Sequence, residues 1–220
     1  MARPVTLAFV GDLMLGRGVS RALRGHPPEW FWGDVLPVLR QADAIFANLE
    51  SPITASAEPW RQGWKMFRFR ADPEALRILE CARIGFVCLA NNHIMDFGER
   101  GLLDTLRTLD AAGIRHAGAG RNAAEATAPA VVEVSAPETG SAPKTGSAPE
   151  IGPALKIGVI AATDNMRAFS AAVDRPGTNY IEMTAEPANL YWISRSVAEL
   201  RRAGAGLVVL SLHWGPNMRL

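Results

Sequence analysis

Gly85-Phe86-Val87-Cys88-Leu89-Ala90 runs directly into Asn91-Asn92-His93-Ile94-Met95-Asp96-Phe97-Gly98. The first six residues are small or apolar, too few for a helix, and read as a buried strand that stops where the polar block begins. From Gly98 to Ala112, Leu102, Leu103, Leu106 and Leu109 share one helical face, and Gly113 ends the helix. Ile114 to Ala117 then reads as a short strand. Strand, polar loop, helix and strand in that order predict an α/β domain with much parallel sheet.

The same alternation extends outward in both directions. Val5 to Val10 and Ala44 to Leu49 read as strands. Between them Trp32 to Gln41 reads as a short helix, weakened by Pro37. Ala71 to Ala82 reads as a helix with Asp72 as N-cap and Pro73 in its first position. Ala130 to Val134 and Leu155 to Ala161 are strands, Asn189 to Ala203 is a helix, and Leu207 to His213 is a last strand. One segment breaks the pattern. Residues 135–152 repeat a Ser-Ala-Pro-x-x-Gly hexapeptide three times. Pro and Gly in every unit cannot build a packed core, so this tract reads as a surface loop inside a single domain spanning 1–220. The chain leaves a core strand at His213 without a closing helix, and the expectation is a domain incomplete at its C-terminus.

Composition narrows the class. The 220 residues are 48% hydrophobic, which is enough for a sizeable core and too apolar for wholesale disorder. Lys plus Arg number 23 against 22 Asp plus Glu, a net charge of +1. A nearly neutral chain has no general grip on nucleic acid or an anionic bilayer, so no nucleic-acid partner is expected. No apolar run approaches the roughly 18 residues of a membrane span, and Val5 to Val10 is too short for a signal-peptide core. The two cysteines, Cys81 and Cys88, suit a reducing compartment. The expectation is a cytoplasmic protein without a membrane anchor.

Four strand ends carry polar residues: Asp12, Glu50, Asn92 and His213. In open α/β sheets the carboxyl ends of the strands form the ligand crevice, so neighbouring strands would deliver all four to one edge. Two carboxylates, an amide oxygen and an imidazole suit a divalent ion of the Mn²⁺, Fe²⁺ or Zn²⁺ type. Such an ion polarises a phosphoryl oxygen and acidifies water, and His93 beside Asn92 is placed to act as general acid. Each residue also has a plainer role. Asp12 can cap the turn before Gly16 and Gly18, Glu50 can be a loop carboxylate, Asn91 and Asn92 can be turn residues, and His213 can be a core histidine. Arg17 either clamps an anion or is an ordinary surface arginine. Asp96 either orients His93 or caps the helix that starts near Gly98, and the cap is the expected role. His26, His116 and both cysteines read as structural. Gly118-Ala119-Gly120 lacks the context of a dinucleotide site.

The blocks Gly11-Asp12-Leu13-Met14-Leu15-Gly16-Arg17, Asn48-Leu49-Glu50-Ser51-Pro52, Leu89 to Gly98 and Leu212-His213-Trp214-Gly215 resemble the capsule synthesis protein CapA family, the poly-γ-glutamate biosynthesis proteins. The resemblance spans nearly the whole chain apart from the hexapeptide tract. It implies a branch of the calcineurin-like metallophosphatases, with a sandwich of mixed, largely parallel sheets flanked by helices and a two-metal centre at the strand ends, so one or two divalent ions are expected here. Carried over, Asp12, Glu50, Asn92 and His213 would be metal ligands and His93 the catalytic acid. From the residues themselves, Asp96 is the candidate to support His93 in catalysis, and Arg17 and Asn91 are candidate substrate contacts. The chain departs from the superfamily pattern at three points. No histidine stands two residues after Asp12, Glu50 replaces an Asp, and no late Gly-His-x-His occurs.

Two functions follow as expectations. One is a metal-dependent hydrolase, of phosphoester type first and, as a weaker alternative, one that cleaves an amide in a polyglutamate-like chain. The other is a non-catalytic component that binds an anionic polymer during capsule assembly or export, alongside other capsule-synthesis partners.

Overall fold

The fold is described for residues 4–135, 154–184 and 186–215 of a computed structural model. Its elements are β1 (Leu7–Leu13), α1 (Gly18–Ala22), α2 (Leu36–Leu39), β2 (Ala44–Leu49), α3 (Leu76–Cys81), β3 (Phe86–Cys88), α4 (Gly98–Ala111), β4 (Arg115–Ala117), β5 (Ala119–Gly120), α5 (Ala123–Thr127), β6 (Ala130–Val134), β7 (Leu155–Thr163), β8 (Gly177–Thr178), α6 (Pro187–Arg202) and β9 (Leu207–His213). The hexapeptide tract, apart from Ser135, lies outside the described residues.

The first four strands pair in the order β1-β2-β3-β4, all parallel. A second sheet has the order β6-β7-β9, with β6 antiparallel and β9 parallel to β7. Alternation along the strands divides their side chains between two cores. Phe46, Phe86, Cys88 and Ala117 of the first sheet pack on Val132, Val134, Ile157, Val159 and Ala161 of the second. The opposite face of the first sheet, with Ile45, Ala47, Leu49 and Val87, packs under Leu102, Leu106 and Leu109 of α4. The outer face of the second sheet carries Ile160 against Leu200 of α6. The result is a mixed, largely parallel pair of facing sheets with a helix layer on each outer side.

Several expected elements change where local chemistry overrides periodicity. The segment Trp32–Gln41 is not one helix. Gly33 sits at φ 54°, a 3₁₀ turn occupies Gly33–Val35, and Pro37 confines the α-helix to Leu36–Leu39. The segment Ala71–Ala82 starts as a 3₁₀ turn at Pro73–Ala75 and becomes α-helical only at Leu76. Asp72 precedes that turn in extended conformation but makes no cap bond; its Oδ1 lies 3.3 Å from Arg70.

The first strand runs on to Leu13 because of a bulge. Phe9 pairs with Phe46, yet Asp12 pairs with Asn48, so β1 spends one extra residue there. Strict alternation would set Asp12 on the opposite face from Phe9. The extra residue turns it to the face that Phe9, Phe46 and Asn48 share. Gly118, at φ 91°, lets the sheets meet: a Cβ there would lie 2.6 Å from Ala90 Cβ and 2.9 Å from Ala161 Cβ.

Candidate metal and catalytic site

The bulge in β1, the end of β2, the turn after β3 and the last residue of β9 meet at one end of the two sheets. Asp12, Glu50 and His213 each offer a ligand atom there, all within 4.8 Å of one another. Asn92 joins them, its Oδ1 lying 2.8 Å from His213 Nε2. Glu50 Oε1 lies 3.8 Å from His213 Nε2 and 4.0 Å from His93 Nε2. The expectation that one sheet edge delivers all four is corrected in one respect. Asp12, Glu50 and Asn92 come from the first sheet and its connections, whereas His213 comes from the second. The site therefore lies between two sheets, and their packing sets its width.

A network of amides holds these groups. Asn48 Nδ2 donates to Asp12 Oδ1 at 2.7 Å and lies 3.4 Å from His213 Nδ1. Asn91 is fully buried and uses its whole amide. Its Nδ2 donates to Asn48 Oδ1 at 3.0 Å and to Leu49 O at 2.9 Å. Its Oδ1 accepts the backbone N–H groups of His93 at 3.0 Å and Ile94 at 2.9 Å. Asn91 thus builds the turn that presents Asn92 and His93. Both of its Nδ2 protons are thereby taken up within the protein.

Asp96 does not cap α4. Phe97 occupies the N-cap position, without a side-chain cap bond. The Asp96 carboxylate turns inward instead, with Oδ2 2.6 Å from His93 Nδ1 and accepting the Phe69 N–H at 2.7 Å. Its Oδ1 meets the ammonium of Lys65, which also donates to the Asn92 carbonyl. Within the described residues, Asp96 has more and better partners inside the turn than the helix end would offer. Lys65 and Asn48 escaped the sequence reading. Asn48 stands in the quoted Asn-Leu-Glu block, and its place at a strand end was the available signal. Lys65 lies in an irregular segment where nothing in the residue pattern marks it.

The electrostatics follow from two carboxylates brought together. Burial, then the neighbouring charge of Asp12, pushes the Glu50 carboxyl from its ordinary 4.5 up to about 7. Burial holds His213 below its ordinary value and so favours the neutral ring, against the opposing pull of the Asp12 charge. Burial also lowers the Lys65 ammonium, opposed by Asp96. Two crowded carboxylates and a neutral imidazole fit a divalent cation, which would relieve their repulsion.

Arg17 sits beyond the ligands at φ 53° and is exposed. Gly16 before it admits no side chain, because a Cβ would lie 2.6 Å from Arg70 O. The Arg17 guanidinium lies 5.5 Å from the Phe67 ring centre and 5.7 Å from that of Phe69. Phe69 in turn stacks on His93 at 4.0 Å. His26 stacks on Trp30 and His116 pairs with Asp110 at 3.0 Å, so both lie outside this cluster. A groove of about 510 Å³ flanked by Trp60, Arg61 and Phe97 contains none of the candidate ligands.

The fold and site define an α/β protein with a two-carboxylate, imidazole and amide cluster at the strand ends. The chain belongs to the bacterial capsule synthesis protein PGA_cap family, whose pattern matches residues 6–220. It is 30% identical over 97% of its length to the "Probable polyglutamine synthesis accessory protein" of Mycobacterium tuberculosis strain H37Rv, covering 60% of that protein. It is 29% identical to the "Capsule biosynthesis protein CapA" of Bacillus anthracis, over 54% of this chain and 29% of that one. Against the "PGA biosynthesis protein CapA" of Bacillus subtilis strain 168 the identity is 29%, over 56% of this chain and 32% of the relative. The chain thus spans at most about 60% of the length of these curated relatives. No helix among the described residues is long and apolar enough to cross a membrane.

Proposed function

We propose that this chain carries the metal-dependent hydrolase site of a CapA-type protein, acting on a phosphoester, on a sandwich of the calcineurin-like metallophosphatase kind. The observation that carries the reading is the approach of Asp12, Glu50 and His213 to within 4.8 Å, with His93 at their edge. Asp12, Glu50, His213 and Asn92 would hold one or two divalent ions. Such an ion supplies Lewis-acid polarisation of a phosphoryl oxygen and lowers the pKa of water. His93, tied at Nδ1 to Asp96, turns Nε2 toward the cluster, where the ring can take up a second proton from water and then pass it from that atom to a leaving oxygen. Arg17, without a carboxylate partner among the described residues and seated on Phe67 and Phe69, would attract an anionic group of the substrate.

The test is metal content and hydrolysis of an aryl phosphate with and without Mn²⁺. Near-stoichiometric metal and activity lost in His93→Ala support the reading. A second reading, binding of an anionic polymer without catalysis, is favoured by the exposed Arg17 and by the word "accessory" in the mycobacterial relative's name. Metal-free protein that hydrolyses nothing but binds poly-γ-glutamate would decide for it.

A further inference from the structure

Lys65 is an interior cation contributed from outside the family motifs. Its side chain is 7% exposed, and the Asp96 side chain it meets is 0% exposed. Burying an ammonium costs several kcal/mol unless charge and hydrogen bonds compensate. Here its compensation is specific. The ammonium donates to Asp96 Oδ1 and to the Asn92 carbonyl. It also lies 5.2 Å from the Phe169 ring centre, so an aromatic face closes the pocket. Trp64 and Met66 on either side of it are exposed, so the backbone aims this one side chain inward.

An ammonium has only donors and cannot accept a proton from the imidazole. Asp96 Oδ2 lies 2.6 Å from His93 Nδ1, and a carboxylate that already accepts from Lys65 and from the Phe69 N–H can only accept, which makes Nδ1 the donor. His93 is then the Nδ1–H tautomer, and Nε2 is the atom turned toward Glu50. Lys65 pins Asp96 through Oδ1 while Phe69 N–H pins Oδ2, leaving the carboxylate no freedom to rotate. It also fixes the carbonyl between Asn92 and His93.

We propose that Lys65 is a positioning residue of the site, whose buried ammonium binds the Asp96 carboxylate and the Asn92 carbonyl together and so holds the His93 ring with Nε2 facing the ligand cluster. This rests on the hydrolase reading for its consequence in turnover, but its geometry can be tested apart from it.

The variant is Lys65→Met, which keeps the reach of the side chain and removes the charge. The protein is labelled with ¹⁵N-histidine; it has four histidines, and His93→Gln assigns the signal. In wild-type protein His93 should give an Nδ1–H tautomer whose proton exchanges slowly with water. In Lys65→Met that signal should move to a mixture of tautomers. Aryl phosphate turnover should fall about 10- to 100-fold in kcat, the range for a lost orienting partner, with KM and Mn²⁺ affinity unchanged. A wild-type His93 found as the Nε2–H tautomer overturns the proposal, even if the variant fails to fold. So does a variant with unaltered spectrum, or one whose Mn²⁺ affinity falls in step with kcat. If wild-type protein hydrolyses no aryl phosphate, the hydrolase reading fails, and the tautomer measurement still decides the role of Lys65.

Discussion

Replacing Glu50 by Gln should stabilise the metal-free protein at alkaline pH and remove its response to metal. Glu50 has a side chain 16% exposed, and its carboxyl is pushed from 4.5 to about 7, first by burial and then by Asp12. The folded state thus binds this proton more tightly than the unfolded state does. The cost of ionising it is absent below pH 4.5, grows between 4.5 and about 7, and is complete above that. At ~1.36 kcal/mol per pH unit the full difference amounts to ~3.4 kcal/mol. Solvent reaching the pair at the cleft mouth lowers this to ~1–2 kcal/mol. For a chain of this size, ~2–4 °C per kcal/mol gives ~2–8 °C. Thermal unfolding in EDTA at pH 8 should therefore place Glu50→Gln above wild type by that amount, with the gap closing by pH 4. Excess Mn²⁺ should reverse the order, since ligand at ~100 times Kd adds ~2.7 kcal/mol to the protein that binds it. An equal Tm for the two proteins in EDTA at pH 8, or equal Mn²⁺ stabilisation of both, would refute the placement of Asp12 and Glu50 around a shared cation.

Three further outcomes are expected. Asn91→Ala should cost ~2–4 kcal/mol in urea unfolding, because it leaves buried partners of a four-bond amide unsatisfied. Gly118→Ala should cost ~2–4 kcal/mol by the same assay, since φ is 91° and the new Cβ would press on Ala90 and Ala161 at the sheet contact. For His213, burial favours the neutral ring when folded, so stability should decline as pH falls below the unfolded value of 6.5. His213→Asn should flatten the stability curve below pH 6.5 and weaken Mn²⁺ binding, read by calorimetry.

Much of the scaffold was legible because its cues are local. The apolar runs of β2, β6 and β9 are bounded by polar residues, and the leucines of α4 repeat at helical spacing up to Gly113. The expected cap at Asp96 failed for a reason that no local rule contains. A carboxylate beside a helix start satisfies the capping pattern, yet an ammonium thirty-one residues upstream and a neighbouring imidazole hold it more strongly. Asn91 likewise has the composition of a ligand and the hydrogen bonds of a structural turn.

By itself the chain determined where strands end and which residues stand there, since hydrophobic runs and their polar stops are written in consecutive positions. Only the tertiary structure decided which of those residues meet. The extra residue in β1 turns Asp12 to the side of Asn48, the facing of two sheets carries His213 to Glu50, and a buried lysine reaches Asp96. These are contacts between residues distant along the chain, fixed by sheet pairing and by the need of each buried charge for a partner.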